Sequence, residues 1–206
     1  MTARAGTIAV LDYGIGNLRS AERALTHVGA AARLVTEPDG VEGAAGVVLP
    51  GVGAFGPCAD ALARTGLGDA ALRAIDGGVP FLGICVGFQL LYDGSEEAPG
   101  RAGLGVLPGT VRRLPPSVKA PQMQWNTLDS LRPSGLLVGL DAAPWVYFVH
   151  SYAPEVGPET VATCEYGGAV AAAAETDAVW GTQFHPEKSG ATGLAILANF
   201  VARAAR

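Results

Sequence analysis

Four short apolar runs, Thr7 to Leu11, Ala32 to Thr36, Gly46 to Leu49 and Val79 to Ile84, occupy the first half of the chain with helical patterns between them. Each reads as a strand, and their brevity suits a parallel sheet covered on both faces. Parallel neighbours cannot be joined by a tight turn and need a crossover, usually a helix. Between the first two runs Leu18, Ala21, Leu25 and Val28 recur at helical spacing, with Asn17 as N-cap and Gly29 as the stop. Ala59 to Ala63 and Leu67 to Ile75 read as two short helices before the fourth run, the second ending at Asp76-Gly77-Gly78. From Leu104 onward the texture changes. Leu104 to Leu107, Thr110 to Leu114, Trp145 to Ser151, Thr160 to Tyr166, Ala169 to Glu175 and Val179 to Phe184 are strand-like and separated by Pro and Gly turns, which favours antiparallel pairing. Leu194, Leu197, Phe200 and Val201 mark a closing amphipathic helix. The expected fold is α/β, a three-layer sandwich over residues 1–206 as one domain, with a mostly parallel central sheet, a nucleophile elbow and an antiparallel extension.

Charge and cysteine usage narrow the function. With 14 Lys and Arg against 19 Asp and Glu the net charge is −5, and no basic run offers a footprint for nucleic acid or an anionic membrane. Gly77 to Tyr92 is the longest uncharged stretch that resembles a membrane span, but Gly, Pro and Gln interrupt it and it falls short of about 18 apolar residues. Thr7 to Leu11 meets Asp12 at once, too soon for a secretory signal, so the cytoplasm is expected. Cys58, Cys85 and Cys164 form no CxxC, which argues against a disulfide framework and a structural zinc site. Neither metal nor cofactor is expected.

The sharpest local signal is Gly83-Ile84-Cys85-Val86-Gly87, between the fourth apolar run and a helical stretch from Gly87 to Tyr92. It has the form of a nucleophile elbow with Cys in the place of Ser. A side chain presented on so tight a strand-to-helix turn crowds the positions two residues away on either side, and both are Gly. The helix N-terminus behind it favours a thiolate. A buried Cys is more often a small core hydrophobe; Cys58 and Cys164, which lack this setting, are read that way.

A Cys nucleophile needs a base held in one tautomer by a third group. His185-Pro186-Glu187 follows the last apolar run; residues two apart on extended chain share a face, so Glu187 can lie beside the His185 imidazole. His27 reads as a surface residue at a helix C-terminus. His150, in Tyr147-Phe148-Val149-His150-Ser151-Tyr152, suits either the core or a pocket wall, and spacing leaves both open. Acyl transfer also needs donors aimed at the developing oxyanion. The Val86 N–H is one, and the Gly-rich loop Pro50-Gly51-Val52-Gly53, unless it is an ordinary turn, supplies a second at Val52. No P-loop lysine follows these glycines, and Asp12 to Asn17 is not G-x-G-x-x-G, so nucleotide binding gains no support.

In order and separation, Pro50-Gly51-Val52-Gly53, Gly83 to Gln89 and Phe184-His185-Pro186-Glu187 resemble the motifs of class I glutamine amidotransferases. More narrowly, Leu11 to Leu18, Gly53-Ala54-Phe55, Gly94-Ser95-Glu96-Glu97, Tyr147 to Tyr152 and Pro186 to Ser189 are similar to the branch that serves as glutaminase subunit of imidazole glycerol phosphate synthases, in histidine biosynthesis. The resemblance covers nearly the whole chain. It implies that Cys85 attacks the side-chain amide of glutamine, His185 moves the proton, Glu187 orients His185, and Gly51, Gly53, Gln89, Glu97, Ser151 and Tyr152 hold the substrate. It implies a partner in a heterodimer, the cyclase subunit, which receives the ammonia, with Asn17, Trp125, Tyr147 and Lys188 near the interface. The sequence departs from that branch at Gln122 and Gln124, where His and Gly are usual.

The rival within the family, a glutaminase subunit of another synthase such as that for pyridoxal phosphate, would not be expected to carry the Asp12 to Leu18 and Tyr147 to Tyr152 segments. An α/β-hydrolase would place its acid between nucleophile and histidine, whereas Glu187 follows His185. A catalytically idle interaction module is disfavoured because all three members of a triad are present.

Overall fold

A computed structural model describes residues 6–130 and 132–206. Strands β1 (Thr7–Leu11), β2 (Ala31–Val35), β3 (Gly46–Gly51) and β4 (Phe81–Cys85) alternate with helices α1 (Leu18–His27), α2 (Phe55–Thr65) and α3 (Leu67–Asp76). A four-residue helix α4 (Val86–Gln89) follows β4 directly. Then come β5 (Gly94–Ser95), β6 (Thr110–Arg113), β7 (Gln122–Thr127), β8 (Asp129–Ser130), β9 (Trp145–His150), β10 (Tyr152–Pro154), β11 (Thr160–Glu165), β12 (Ala169–Glu175) and β13 (Val179–Thr182). Helix α5 (Gly190–Ala204) closes the chain.

The main sheet has the order β2-β1-β3-β4-β13-β12-β11-β8. The first five are mutually parallel and the last three antiparallel, so the sheet is mixed as expected. β1 connects outward to β2 through α1, whereas β3 connects the opposite way to β4 through α2 and α3. Parallel crossovers are right-handed as a rule, so the reversal sends their helices to opposite faces. Three layers result, α5 lying with α1 and α2 with α3. β3 and β4 are buried at every position, which is why their sequences show no alternation. The order of connection reverses between the parallel strands β1 and β3, and the crevice beyond the C-terminal ends of strands at such a switch is where open α/β sheets place ligands.

The antiparallel part is more divided than expected. β12, β11 and β8 extend the main sheet, β10, β6 and β5 form a separate small sheet, and β7 pairs with β9 as an isolated ladder. The strand expected at Leu104 to Leu107 is absent. Its backbone N–H groups donate instead to the carbonyls of Leu90, Leu91 and Tyr92, just past the end of α4. β7 was not foreseen, because Gln122-Met123-Gln124-Trp125-Asn126-Thr127 is mostly polar and carries no apolar run. Asn17 stands at the start of α1 as expected, but its side chain makes no capping bond. No helix among the described residues is long and apolar enough to cross a membrane.

Candidate active site

β4 runs into α4 without an intervening loop, and Cys85 at the join has φ 55° and ψ −111°. It is the only residue other than glycine with positive φ among the described residues. Such a backbone persists only where its surroundings enforce it. The flanking glycines are part of that enforcement. A Cβ at Gly87 would sit 1.8 Å from the Leu49 carbonyl oxygen, and one at Gly83 would sit 2.8 Å from the Gly87 carbonyl and the Phe88 Cα. The elbow therefore lies flat against β3 on one side and its own helix on the other.

His185 follows β13 in the strand next to β4. Its backbone is fixed twice: its N–H donates to the Tyr147 carbonyl at 3.0 Å, and its carbonyl accepts from the Ser189 hydroxyl at 2.6 Å. Ser189 Oγ also accepts from the Tyr147 N–H at 3.0 Å, so one hydroxyl ties the 186–188 turn to β9. Glu187 Oε1 lies 2.8 Å from His185 Nδ1. A carboxylate can only accept, so Nδ1 carries the proton and Nε2 is left for Cys85. Burial opposes charge on this imidazole, yet hydrogen bonding and charge from Cys85 and Glu187 outweigh it, and the pKa of His185 is raised to about 9.

Two backbone N–H groups at the same space have no partner among the described residues: neither the Val52 nor the Val86 N–H donates to a protein acceptor, and both residues line the cavity that holds Cys85 and His185. That cavity, about 340 Å³, is also walled by Gly53, Gln89, Glu97, Ser151 and Tyr152. Gly51 stands behind it, paired with Cys85 across the sheet. A Cβ at Gly51 would meet the Gly87 N–H nitrogen at 2.6 Å, so its contribution is close approach of loop to elbow. Glu97 Oε2 accepts from the Phe55 N–H at 2.7 Å and caps α2, whose own N-cap residue, Ala54, has no side chain able to do so.

Gln183 was not singled out in the sequence. Register places it beside Cys85, since Thr182 pairs with Ile84. The Tyr152 carbonyl can only accept, so Gln89 turns Nε2 toward it at 2.8 Å; Gln89 Nε2 then reaches Gln183 Oε1 at 3.0 Å. This leaves Gln183 Nε2 directed at Cys85 Sγ, 3.7 Å away. His150 donates from Nδ1 to the same Tyr152 carbonyl at 2.9 Å. Its setting combines both sequence-based possibilities: it is buried, and it borders the cavity. Burial lowers its pKa to about 4 and keeps it neutral, which suits a wall rather than a base.

Lys188 reaches the cavity rim. Trp125 and Tyr147 lie opposite each other in the β7–β9 ladder, ring centroids 6.0 Å apart in an edge-on contact. Trp125 is 48% exposed, and Met123 and Trp145, on the same face of the ladder, are 64% and 57% exposed. A larger cavity of about 730 Å³, lined by Arg132, Trp180 and Arg203 among others, opens near the N-terminal end of β13 and contains none of these residues. Size alone does not mark the site. Among the described residues, no group of three or more His, Cys, Asp or Glu side chains is placed to hold a metal ion.

The model of the family "Glutamine amidotransferase class-I" matches residues 9–204. Imidazole glycerol phosphate synthase subunit HisH of Syntrophotalea carbinolica is 46% identical over 202 residues, covering 94% of this chain and 98% of that protein. The protein of that name from Methanothermobacter thermautotrophicus is 48% identical over 196 residues, covering 94% and 97%. A solved glutamine amidotransferase superposes with TM-score 0.77 at 22% identity, covering 97% of this chain and 99% of the other. A chain of the solved PurLQS from Thermotoga maritima gives 0.75 at 20% identity, covering 96% and 98%.

Proposed function

The chain belongs to the class I glutamine amidotransferases, and from that premise we propose that it is the glutaminase subunit of imidazole glycerol phosphate synthase, working through Cys85, His185 and Glu187. The likeness to the HisH proteins, at 46% and 48% identity along nearly the whole of each chain, supports that assignment. The observation that carries the chemistry is the meeting, in one cavity, of a thiol on an enforced backbone turn, a histidine braced by a buried carboxylate and two unused N–H groups. Residues 1–206 act as one domain.

The thiol proton of Cys85 is held on His185, whose raised pKa favours the imidazolium, and Cys85 Sγ attacks the side-chain carbonyl carbon of glutamine. The oxyanion so formed faces the N–H groups of Val52 and Val86. As the tetrahedral intermediate collapses, His185 delivers the proton to the departing nitrogen and ammonia leaves, with a glutamyl thioester on Cys85. Water attacks the thioester with His185 as base, and glutamate is released. Glu187 keeps Nε2 of His185 facing the sulfur throughout. Gln89, Glu97, Ser151 and Tyr152 line the space for the substrate's two charged ends. The Gln89 amide hydrogens already serve Tyr152 and Gln183, so its carbonyl oxygen is what it offers glutamine.

Ammonia passes to a cyclase subunit, which forms imidazole glycerol phosphate and an aminoimidazole carboxamide ribotide. The exposed aromatic face of β7 and β9, with Trp125 and Tyr147, and the neighbouring Lys188 and Asn17 form the docking surface for that subunit. The reading is tested by assaying glutamate and ammonia release by the purified protein alone, with its cyclase, and with the cyclase plus its ligand. Release should be slow alone and rise in the complete system. Full activity of the protein alone removes the dependence on the cyclase, and none under any condition removes the assignment.

A further inference from the structure

The end of β3 and the loop that follows carry three successive peptide units, Pro50–Gly51, Gly51–Val52 and Val52–Gly53, and the first and third are held by buried side chains. The phenol of Tyr13, just beyond β1, donates to the Pro50 carbonyl at 2.8 Å. The thiol of Cys58, in the first turn of α2, donates to the Val52 carbonyl at 3.3 Å. The middle unit carries the Val52 N–H, which has no protein acceptor among the described residues.

Tyr13 and Cys58 are 2% and 0% exposed and adjacent to each other. Each has one proton to give, and burial pushes both groups upward in pKa, so each keeps it. A Cβ at Gly51 would sit 2.9 Å from the Tyr13 hydroxyl as well as against Gly87, so Tyr13, the loop and the elbow form one contact. Neither Tyr13 nor Cys58 borders the substrate cavity.

We propose that Tyr13 and Cys58 are positioning residues that aim the Val52 N–H at the oxyanion by gripping the peptide units on either side of it. The proposal rests on the assignment of that N–H as an oxyanion donor. A peptide unit turns about its Cα–Cα axis when the dihedrals flanking it change in opposite senses. With both neighbours held, that turn is the one motion left to the Gly51–Val52 unit, and its axis is fixed relative to Cys85. Releasing either neighbour lets the axis tilt. A donor that acts on the transition state then loses aim while the ground-state contacts to glutamine stay in place.

The test uses three variants, Tyr13→Phe, Cys58→Ala and Cys58→Ser, in the complex with the cyclase subunit. Each is assayed for glutamine hydrolysis, for ammonia-driven cyclase turnover and for the rate at which iodoacetamide labels the Cys85 peptide. Complete loss of an oxyanion donor costs about 10² to 10³-fold in kcat, so misaiming by Tyr13→Phe should cost about 10-fold, with KM within about 2-fold. Cys58→Ala should fall in the same direction by about 3 to 10-fold, and Cys58→Ser, which restores a donor, should recover most of it. Labelling of Cys85 and ammonia-driven turnover should match wild type. The proposal is overturned if kcat is unchanged in Tyr13→Phe and Cys58→Ala whatever happens to their melting temperatures, or if the loss appears equally in KM or in Cys85 labelling. Should Tyr13→Phe not fold, the Cys58 pair decides alone. Cys85→Ala, assayed alongside, shows whether glutamine hydrolysis runs through Cys85 at all, so failure of the clamp and failure of the reaction assignment give different results.

Discussion

The strand ends around Cys85 and the β7–β9 ladder are both built from extended chain, yet they are opposite in kind. β3, β4 and β13 are covered on both faces, and beyond β13 the backbone of His185 is bonded at both its N–H and its carbonyl. The ladder turns Met123, Trp125 and Trp145 outward. One region stores its specificity in backbone geometry built from the chain's own buried strands, and the other presents apolar surface that water covers poorly. The proposed function gives them separate work: chemistry at the strand ends, recognition at the ladder.

Substitutions separate the two regions most clearly when their effects are ranked. Cys85→Ala should lower glutamine hydrolysis by more than about 10³-fold, as loss of a covalent nucleophile does, while cyclase turnover on added ammonium salt is kept. Retained hydrolysis would move the chemistry away from the strand ends. His185→Ala should cost about 10² to 10⁴-fold in kcat, whereas His27→Ala should act through stability alone; a matched kinetic loss in both contradicts the choice of base. On the other side of the comparison, Trp125→Ala and Lys188→Ala should weaken the complex with the cyclase by about 5 to 30-fold, the scale of a 1 to 2 kcal/mol interface contact. Labelling of Cys85 by a small alkylating agent should be unaffected, and a titration of binding beside a labelling time course checks both.

The smallest effect concerns stability. The folded-state pKa of His150 is lowered to about 4 from 6.5, so the unfolded chain binds the extra proton between those values. Its contribution is therefore present above pH 6.5 and is lost as pH falls toward 4. His185, raised to about 9, contributes oppositely: its stabilisation is full below 6.5 and is lost as pH rises through 9. Melting curves of His150→Gln against wild type should converge as pH falls from 6.5 to 4, and those of His185→Gln should converge with wild type as pH rises from 6.5 to 9. Parallel curves in either window would break the link between burial and titration.

What was legible in the sequence follows the same division. β1, β3 and β4 announce themselves because a strand buried on both faces must be apolar throughout, and the Gly83 to Gly87 elbow because two glycines are needed where a Cβ would meet backbone. β7 was invisible, since a strand with one face in water and a partner only in β9 needs no apolar run. The reading at Leu104 to Leu107 failed for a related reason. Four apolar residues in a row signal burial, and here the backbone bonds to the chain just past the end of α4 rather than to a ladder.

By itself the sequence determined the layer architecture, the tight turn at Cys85 and the adjacency of His185 to Glu187, because each is a local consequence of hydrophobic period or of residues two apart. It could not place Gln183 against Cys85, Glu97 at the head of α2, or Tyr13 and Cys58 beneath the loop at Gly51. Those contacts join positions from 6 to 98 residues apart. Donor and acceptor order along such a network depends on which backbone carbonyl each side chain meets, and that is decided only when the sheet order brings the strand ends together.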